Sequence, residues 1–170
     1  MARAPELAAR LPLIAAITGL ATAADTTAMV TCHRDLHPDN VLVIHAATVD
    51  AGQLAVIDWD NLGPADPSRE LVRVLLDWFC DNDTLDIRAV RDMLAAYRAI
   101  GAPGRIAHDA FGLAISSRLN FLYRQVGIAL DAAAEERHRQ WAVREIDEAL
   151  RILPTPTVLT LLTELDSSLG

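Results

Sequence analysis

Near the start of the chain, Leu7, Leu11, Ile14, Ile17 and Leu20 fall three or four residues apart, the spacing of one apolar helix face. The stretch from Leu11 to Ala24 is apolar, and Arg3 with Arg10 loosely imitates the basic start of a signal peptide. Pro5-Glu6 and Arg10 interrupt that pattern, so an amphipathic helix is the better reading. No segment reaches the ~20 uninterrupted apolar residues of a membrane span. The expectation is a soluble, cytoplasmic protein.

The polar stretch Ala24-Asp25-Thr26-Thr27 reads as a loop, and Met29 to Cys32 as a short strand. His33 to Asn40 is polar and holds Pro38, which makes it a loop. The β-branched run Val41-Leu42-Val43-Ile44 predicts a buried strand. Turn residues Asp50-Ala51-Gly52 then lead to a second strand, Leu54-Ala55-Val56-Ile57. The two strands should form a hairpin, the one sheet the pattern predicts.

Everything after Pro67 reads as helix. Leu71, Val74, Leu75, Trp78 and Phe79 mark a helix from Ser68 to about Cys80. Asp83 or Asp86 caps the next, which carries Ile87, Val90, Met93, Leu94 and Tyr97, before Gly101-Ala102-Pro103-Gly104 breaks the chain. A third helix is expected from about His108 to Leu130 and a fourth from about Asp131 to Ile152. Pro154-Thr155-Pro156 ends the fourth, and Thr157 caps a short last one. The fold class is α+β and mostly helical, in one domain spanning 1–170. Residues 1–29 form its leading helix and loop, 30–67 the polar loop and hairpin, and 68–170 a helical body.

Composition narrows the chemistry. A chain of 170 residues with 52% hydrophobic content can bury about two-thirds of its unfolded surface in one domain. Cys32 and Cys80 are too few for a disulfide framework and read as reduced thiols. The net charge is -8, and all 15 basic residues are arginine. Lysine chemistry is therefore excluded from this chain: no Schiff base, no P-loop lysine and no ATP-anchoring kinase lysine. The acidic balance also argues against nucleic acid as a partner, and nothing points to a membrane.

Two polar clusters stand out: His33-Arg34-Asp35-Leu36-His37-Pro38-Asp39-Asn40, and Ile57-Asp58-Trp59-Asp60 at the end of the second strand. The hairpin between them brings Asp58 back beside the loop, near Asp35 and Asn40. A carboxylate and an amide oxygen can share a hard cation such as Mg²⁺, whose shell phosphate oxygens complete. A further carboxylate can take or orient a hydroxyl proton. Phosphoryl transfer needs that set.

The first cluster resembles the catalytic loop of the aminoglycoside phosphotransferase and choline kinase family, whose usual pattern is His-Gly-Asp-Leu-His-Pro-x-Asn. Ile57-Asp58-Trp59-Asp60 is similar to that family's metal-binding strand end. Gly63-Pro64-Ala65-Asp66-Pro67 with Glu70-Leu71 resembles the run leading into the following helix. These elements cover about Thr31 to Trp78, in the family's order. The resemblance implies a protein-kinase-like C-terminal lobe that uses ATP and Mg²⁺. Asp35 would be the catalytic base, and Asn40 and Asp58 the metal ligands. His33 would brace the loop, His37 would fix it by hydrogen bonds, and Asp60 would assist the metal through water or cap the next turn. Arg34 stands where the family usually has Gly.

The resemblance further implies an N-terminal lobe with a sheet, a nucleotide-covering loop and an ATP-anchoring lysine. Only 32 residues precede His33 and none is lysine. The expectation is a C-terminal lobe alone, weakly active or inactive by itself, with the missing lobe supplied by another chain or its place taken by self-association.

Two other function classes fit parts of the pattern. His33-x-Asp35-x-His37 alternates like a strand, as a zinc or iron hydrolase site could. A degenerate lobe could instead serve as a binding or scaffold module, showing exposed apolar surface where its partner docks. As to substrate, the resemblance points to a small molecule with a hydroxyl on an amine or amino sugar, and the acidic balance suits a cationic one. By that resemblance Asp77 and Asp81, with Asp83, Asp86, Glu135, Glu136, Glu145, Asp147 and Glu148, are candidate contacts for it, though each reads more simply as part of a solvated acidic face. Trp78, Phe121, Tyr123 and Trp141 could line a cage for a quaternary amine but read more simply as core. Cys32, adjacent to His33 on a strand, points away from it and reads as core.

Overall fold

The computed structural model describes residues 3–23, 29–44 and 53–169. The expected Ala24–Thr27 loop and Asp50–Gly52 turn lie outside those residues. Helix α1 spans Ala4–Thr18, with Pro5 in its first turn and Pro12 inside it. Of its apolar stripe, Ile17 is fully buried, Leu7, Ile14 and Leu20 lie partly buried against the core, and Leu11 is exposed.

Strand β1 (Val30–Cys32) pairs antiparallel with β4 (Gly63–Ala65), and β2 (Val41–Ile44) pairs with β3 (Gln53–Val56) in the register Val41↔Val56. Helix α2 (Pro67–Phe79) follows β4 directly. Asp66 caps it by accepting the Ser68 N–H at 2.9 Å, and Pro67 opens it, where a missing N–H costs nothing. Then come β5 (Cys80–Asp81), β6 (Thr84–Leu85) and α3 (Ile87–Ala99), followed by α4 (Gly112–Leu130), α5 (Glu136–Arg151) and α6 (Pro156–Ser168). Helices α2 to α6 enclose the core, where Leu75, Leu94, Ile115, Ile146 and Leu162 are fully buried. Helix α5 lies along α4, and α6 lies on α3.

Several expectations need correction. The described residues hold three two-stranded sheets, where one hairpin was expected. The β1–β4 pairing joins segments more than thirty residues apart, and β5–β6 is a turn-sized ladder that local periodicity does not reveal. Asp86 caps α3 through the Ala89 N–H. His108–Phe111 is a 3₁₀ turn before α4, and α5 begins at Glu136. Thr155, not Thr157, caps α6, because Pro156 occupies the first helical position.

The largest departure concerns β2, expected to be buried. Leu42, Val43 and Ile44 are exposed, as are Leu54 and Ile57 on the opposite side of the hairpin, with Leu54 60% and Val43 52% accessible. Leu42 and Ile44 share one face while Val43 and Leu54 lie on the other, so the outer hairpin is uncovered on both. Substituting Val43 and Leu54 together by Thr should shift unfolding stability by no more than about 0.5 kcal/mol per site. Urea melts check this, with a loss above about 2 kcal/mol for the pair showing that another element buries the hairpin.

Candidate active site

Between β1 and β2 the chain makes a compact loop held by its own backbone. The His37 N–H donates to the Asp35 carbonyl at 3.1 Å, and the Asn40 N–H to the His37 carbonyl at 3.0 Å. Pro38–Asn40 forms one 3₁₀ turn. The buried Asn40 side chain donates from Nδ2 to the Asp35 carbonyl at 2.8 Å, and the Asn40 backbone carbonyl accepts the Ile57 N–H at 3.0 Å. Asn40 thus ties the loop on one side and the end of β3 on the other. The hairpin brings Asp58 to the loop as the sequence suggests.

His33 adds a second tie. Its Nε2 lies 2.9 Å from the Ile57 carbonyl, its Nδ1 accepts the Asp35 N–H at 3.3 Å, and its ring stacks obliquely on Trp59 at 4.8 Å. Accepting at Nδ1 fixes the proton on Nε2. Both nitrogens are spent on this bracing. The side chain of His37 makes no hydrogen bond among the described residues, its nitrogens lying 3.9 Å from Asp35 and 3.8 Å from Asp39. Its hydrogen bonds within the loop are made by its backbone, to Asp35 and from Asn40.

Two non-glycine residues here adopt left-handed backbone, Arg34 at φ 69° and Asp58 at φ 60°. For a residue like Arg this costs roughly 1–2 kcal/mol, while Asp tolerates it better. The Arg34 geometry explains why glycine suits this position. At Gly63 a Cβ would stand 2.9 Å from Arg34 Nη1, a side-chain tip that would have to shift to admit it. Strain concentrated at one loop is a signature of functional sites.

Helix α2 holds the strained turn. Glu70 accepts the Arg34 N–H at 2.5 Å, and Arg73 donates from Nη1 to the Arg34 carbonyl at 3.0 Å and from Nη2 to Asp35 Oδ1 at 2.8 Å. Arg73 escaped notice in the sequence. Its signal was there: Glu70, Arg73 and Asp77 lie three and four residues apart, on one face of the helix.

Asn40 and Asp58 offer the oxygen pair a hard cation wants. Among the described residues, the Asp58 carboxylate has no hydrogen bond or ion pair, and anchoring of Asn40 Nδ2 leaves its Oδ1 as a donor oxygen. Asp60 is likewise exposed on the 3₁₀ turn Trp59–Asn61, with no side-chain bond to its backbone. The rival zinc arrangement fails on geometry: residues 33–37 are not a strand, and no three His, Cys, Asp or Glu among the described residues gather to hold a metal. Burial, reinforced by Glu70, pushes the Cys32 thiol up to about 12, which suits core and not a nucleophile.

The proposed substrate carboxylates are already engaged. Asp77 sits between Arg118 Nη2 at 2.5 Å and Arg73 Nε at 3.5 Å, and Asp81 pairs with Arg151. Glu135, Glu136, Asp147 and Glu148 also pair with arginines. Tyr123 and Trp141, read as core, are exposed. Phe121 lines a cavity of about 190 Å³ beside Arg73, Asp77, Ser117 and Arg118.

The sequence model of the phosphotransferase enzyme family matches residues 2–111. Comparison with curated proteins and with solved structures returned no match. The match takes in the loop, the hairpin and α2 together with α3. With that span matched and the loop, strand end and helix gathered at one site, the chain belongs to the phosphotransferase enzyme family.

Proposed function

We propose that this chain carries the catalytic half of an ATP-dependent phosphotransferase acting on a hydroxyl of a small molecule. The single observation behind the reading is the junction at Asn40, which anchors the loop bearing Asp35 and the strand end bearing Asp58. Asp35 would accept the hydroxyl proton as the new O–P bond forms and the bond from the γ-phosphorus to the ADP oxygen breaks. Asn40 and Asp58 would hold Mg²⁺, which neutralises phosphate charge when bound. His33, through Ile57, keeps the two segments in register. The exposed Leu42 and Ile57, on the Asn40 face of the hairpin, offer apolar surface for a nucleotide base.

Turnover by the chain alone should be slow. Its composition holds no lysine to clamp the phosphates, and cationic clamps of the arginine-finger kind contribute about 10³ to 10⁵ in rate. Kinases run at about 1–100 s⁻¹, so Mg-ATP hydrolysis by the purified chain should fall below about 0.1 s⁻¹ and vanish in D35N. Turnover in the ordinary kinase range contradicts the first expectation. Unchanged hydrolysis in D35N contradicts the assignment of Asp35.

The uncovered hairpin favours a second reading, a non-catalytic lobe that binds a partner through this apolar surface. In that reading a partner docks with the wild-type hairpin, fails to dock with V43T/L54T, and is indifferent to D35N.

A further inference from the structure

We infer that Arg73 is a positioning residue for Asp35, fixing which carboxylate oxygen faces the reacting hydroxyl; the inference rests on the phosphotransferase reading above. Three edges of one guanidinium are committed. Nη1 donates to the Arg34 carbonyl at 3.0 Å, Nη2 donates to Asp35 Oδ1 at 2.8 Å, and Nε lies 3.5 Å from Asp77 Oδ2. Asp77 is held in turn by Arg118, which is buried and donates at 2.5 Å. The result is a chain of alternating charge, Asp35–Arg73–Asp77–Arg118, running from the loop to the floor of the 190 Å³ cavity.

The clamp does more than pair charges. Arg34 and Asp35 are consecutive, and the first holds left-handed backbone. A planar fork that grips the carbonyl of one and the carboxylate of the next fixes both loop rotation and side-chain torsion, which a single ammonium cannot reproduce. With Oδ1 occupied, Oδ2 has no hydrogen bond among the described residues, and His37 Nε2 lies 3.9 Å from it. Oδ2 is therefore the oxygen that takes the proton. Among the described residues, Arg73 makes no hydrogen bond or ion pair with Asn40 or Asp58.

The test follows slow Mg-ATP hydrolysis, with water as acceptor, in wild type, R73Q, R73K and D35N. The Nη resonances of the Arg73 side chain are recorded in parallel. R73Q should lower kcat about 10- to 100-fold, the cost of a small misplacement, while KM for ATP stays within about twofold. R73K keeps the charge and should recover only part of kcat. D35N should free the Arg73 guanidinium to rotate faster. Wild-type kcat in R73Q overturns the inference alone, as do Arg73 resonances that ignore D35N. Equal hydrolysis by wild type and D35N overturns the phosphotransferase reading and takes the positioning role with it.

Discussion

Asp166→Ala should cost about 3–5 kcal/mol of folding stability, the loss expected when one partner of a buried ion pair is removed. Asp166 lies on α6, is only 8% accessible, and accepts from the Arg98 guanidinium of α3 and from the Ile106 N–H at 2.8 Å. Arg98 also donates to the Gly104 carbonyl, so one carboxylate fastens the last helix, α3 and the loop between α3 and α4. Removal leaves a half-buried guanidinium, whose Nε already lacks a partner, and an orphaned amide. For a chain of this size each kcal/mol moves the melting point by about 2–4 °C, so the variant should melt roughly 6–20 °C lower. Calorimetry or urea melts check this, and a loss under about 1 kcal/mol contradicts the described lock. Leu at 166 combined with Met at 98 should recover part of the loss, since no charge is then stranded.

The second large effect is on binding. Asp58→Asn should weaken Mg-ATP binding about fivefold or more while leaving the fold intact. Coulomb's law gives roughly 1–4 kcal/mol for a unit pair 4 Å apart between water-like and protein-surface dielectrics, and each 1.4 kcal/mol is tenfold in affinity. Asn suits left-handed backbone as well as Asp does, and the Asp58 side chain makes no bond that the substitution would break among the described residues. Isothermal titration of both proteins checks it. Equal affinities remove Asp58 from the metal site. D60N, run alongside, separates the two roles weighed for Asp60: weakened binding means a water-mediated part in the metal shell, and unchanged binding means none.

The parts of this protein legible in its sequence are those whose cause is local. Periodicity marked α2 and α3 because burying one helix face demands it, as Leu71, Leu75 and Leu94 do. The loop His33–Asn40 was legible because its residues are contiguous, while its ties to Ile57, Glu70 and Arg73 run to distant positions that local pattern does not reveal. The β1–β4 pairing was not, since three-residue strands set by Cys32↔Gly63 leave no alternation to read. Apolar content told that β2 is a strand but not what covers it, because burial depends on what packs there. Asp77 looked like a free carboxylate for the same reason: Arg118, its partner, lies 41 positions away. Arg73 was hidden by its ordinariness on the polar side of an amphipathic helix.

The central claim is that the loop and the strand end make one Mg-nucleotide site. Backbone NMR of the full chain during a Mg-ATP titration tests it most directly. The account predicts shifts concentrated in residues 33–42 and 56–60, lost in D58N, with the α5–α6 surface silent. Shifts scattered elsewhere, none at all, or stoichiometric zinc binding that ignores nucleotide would contradict it.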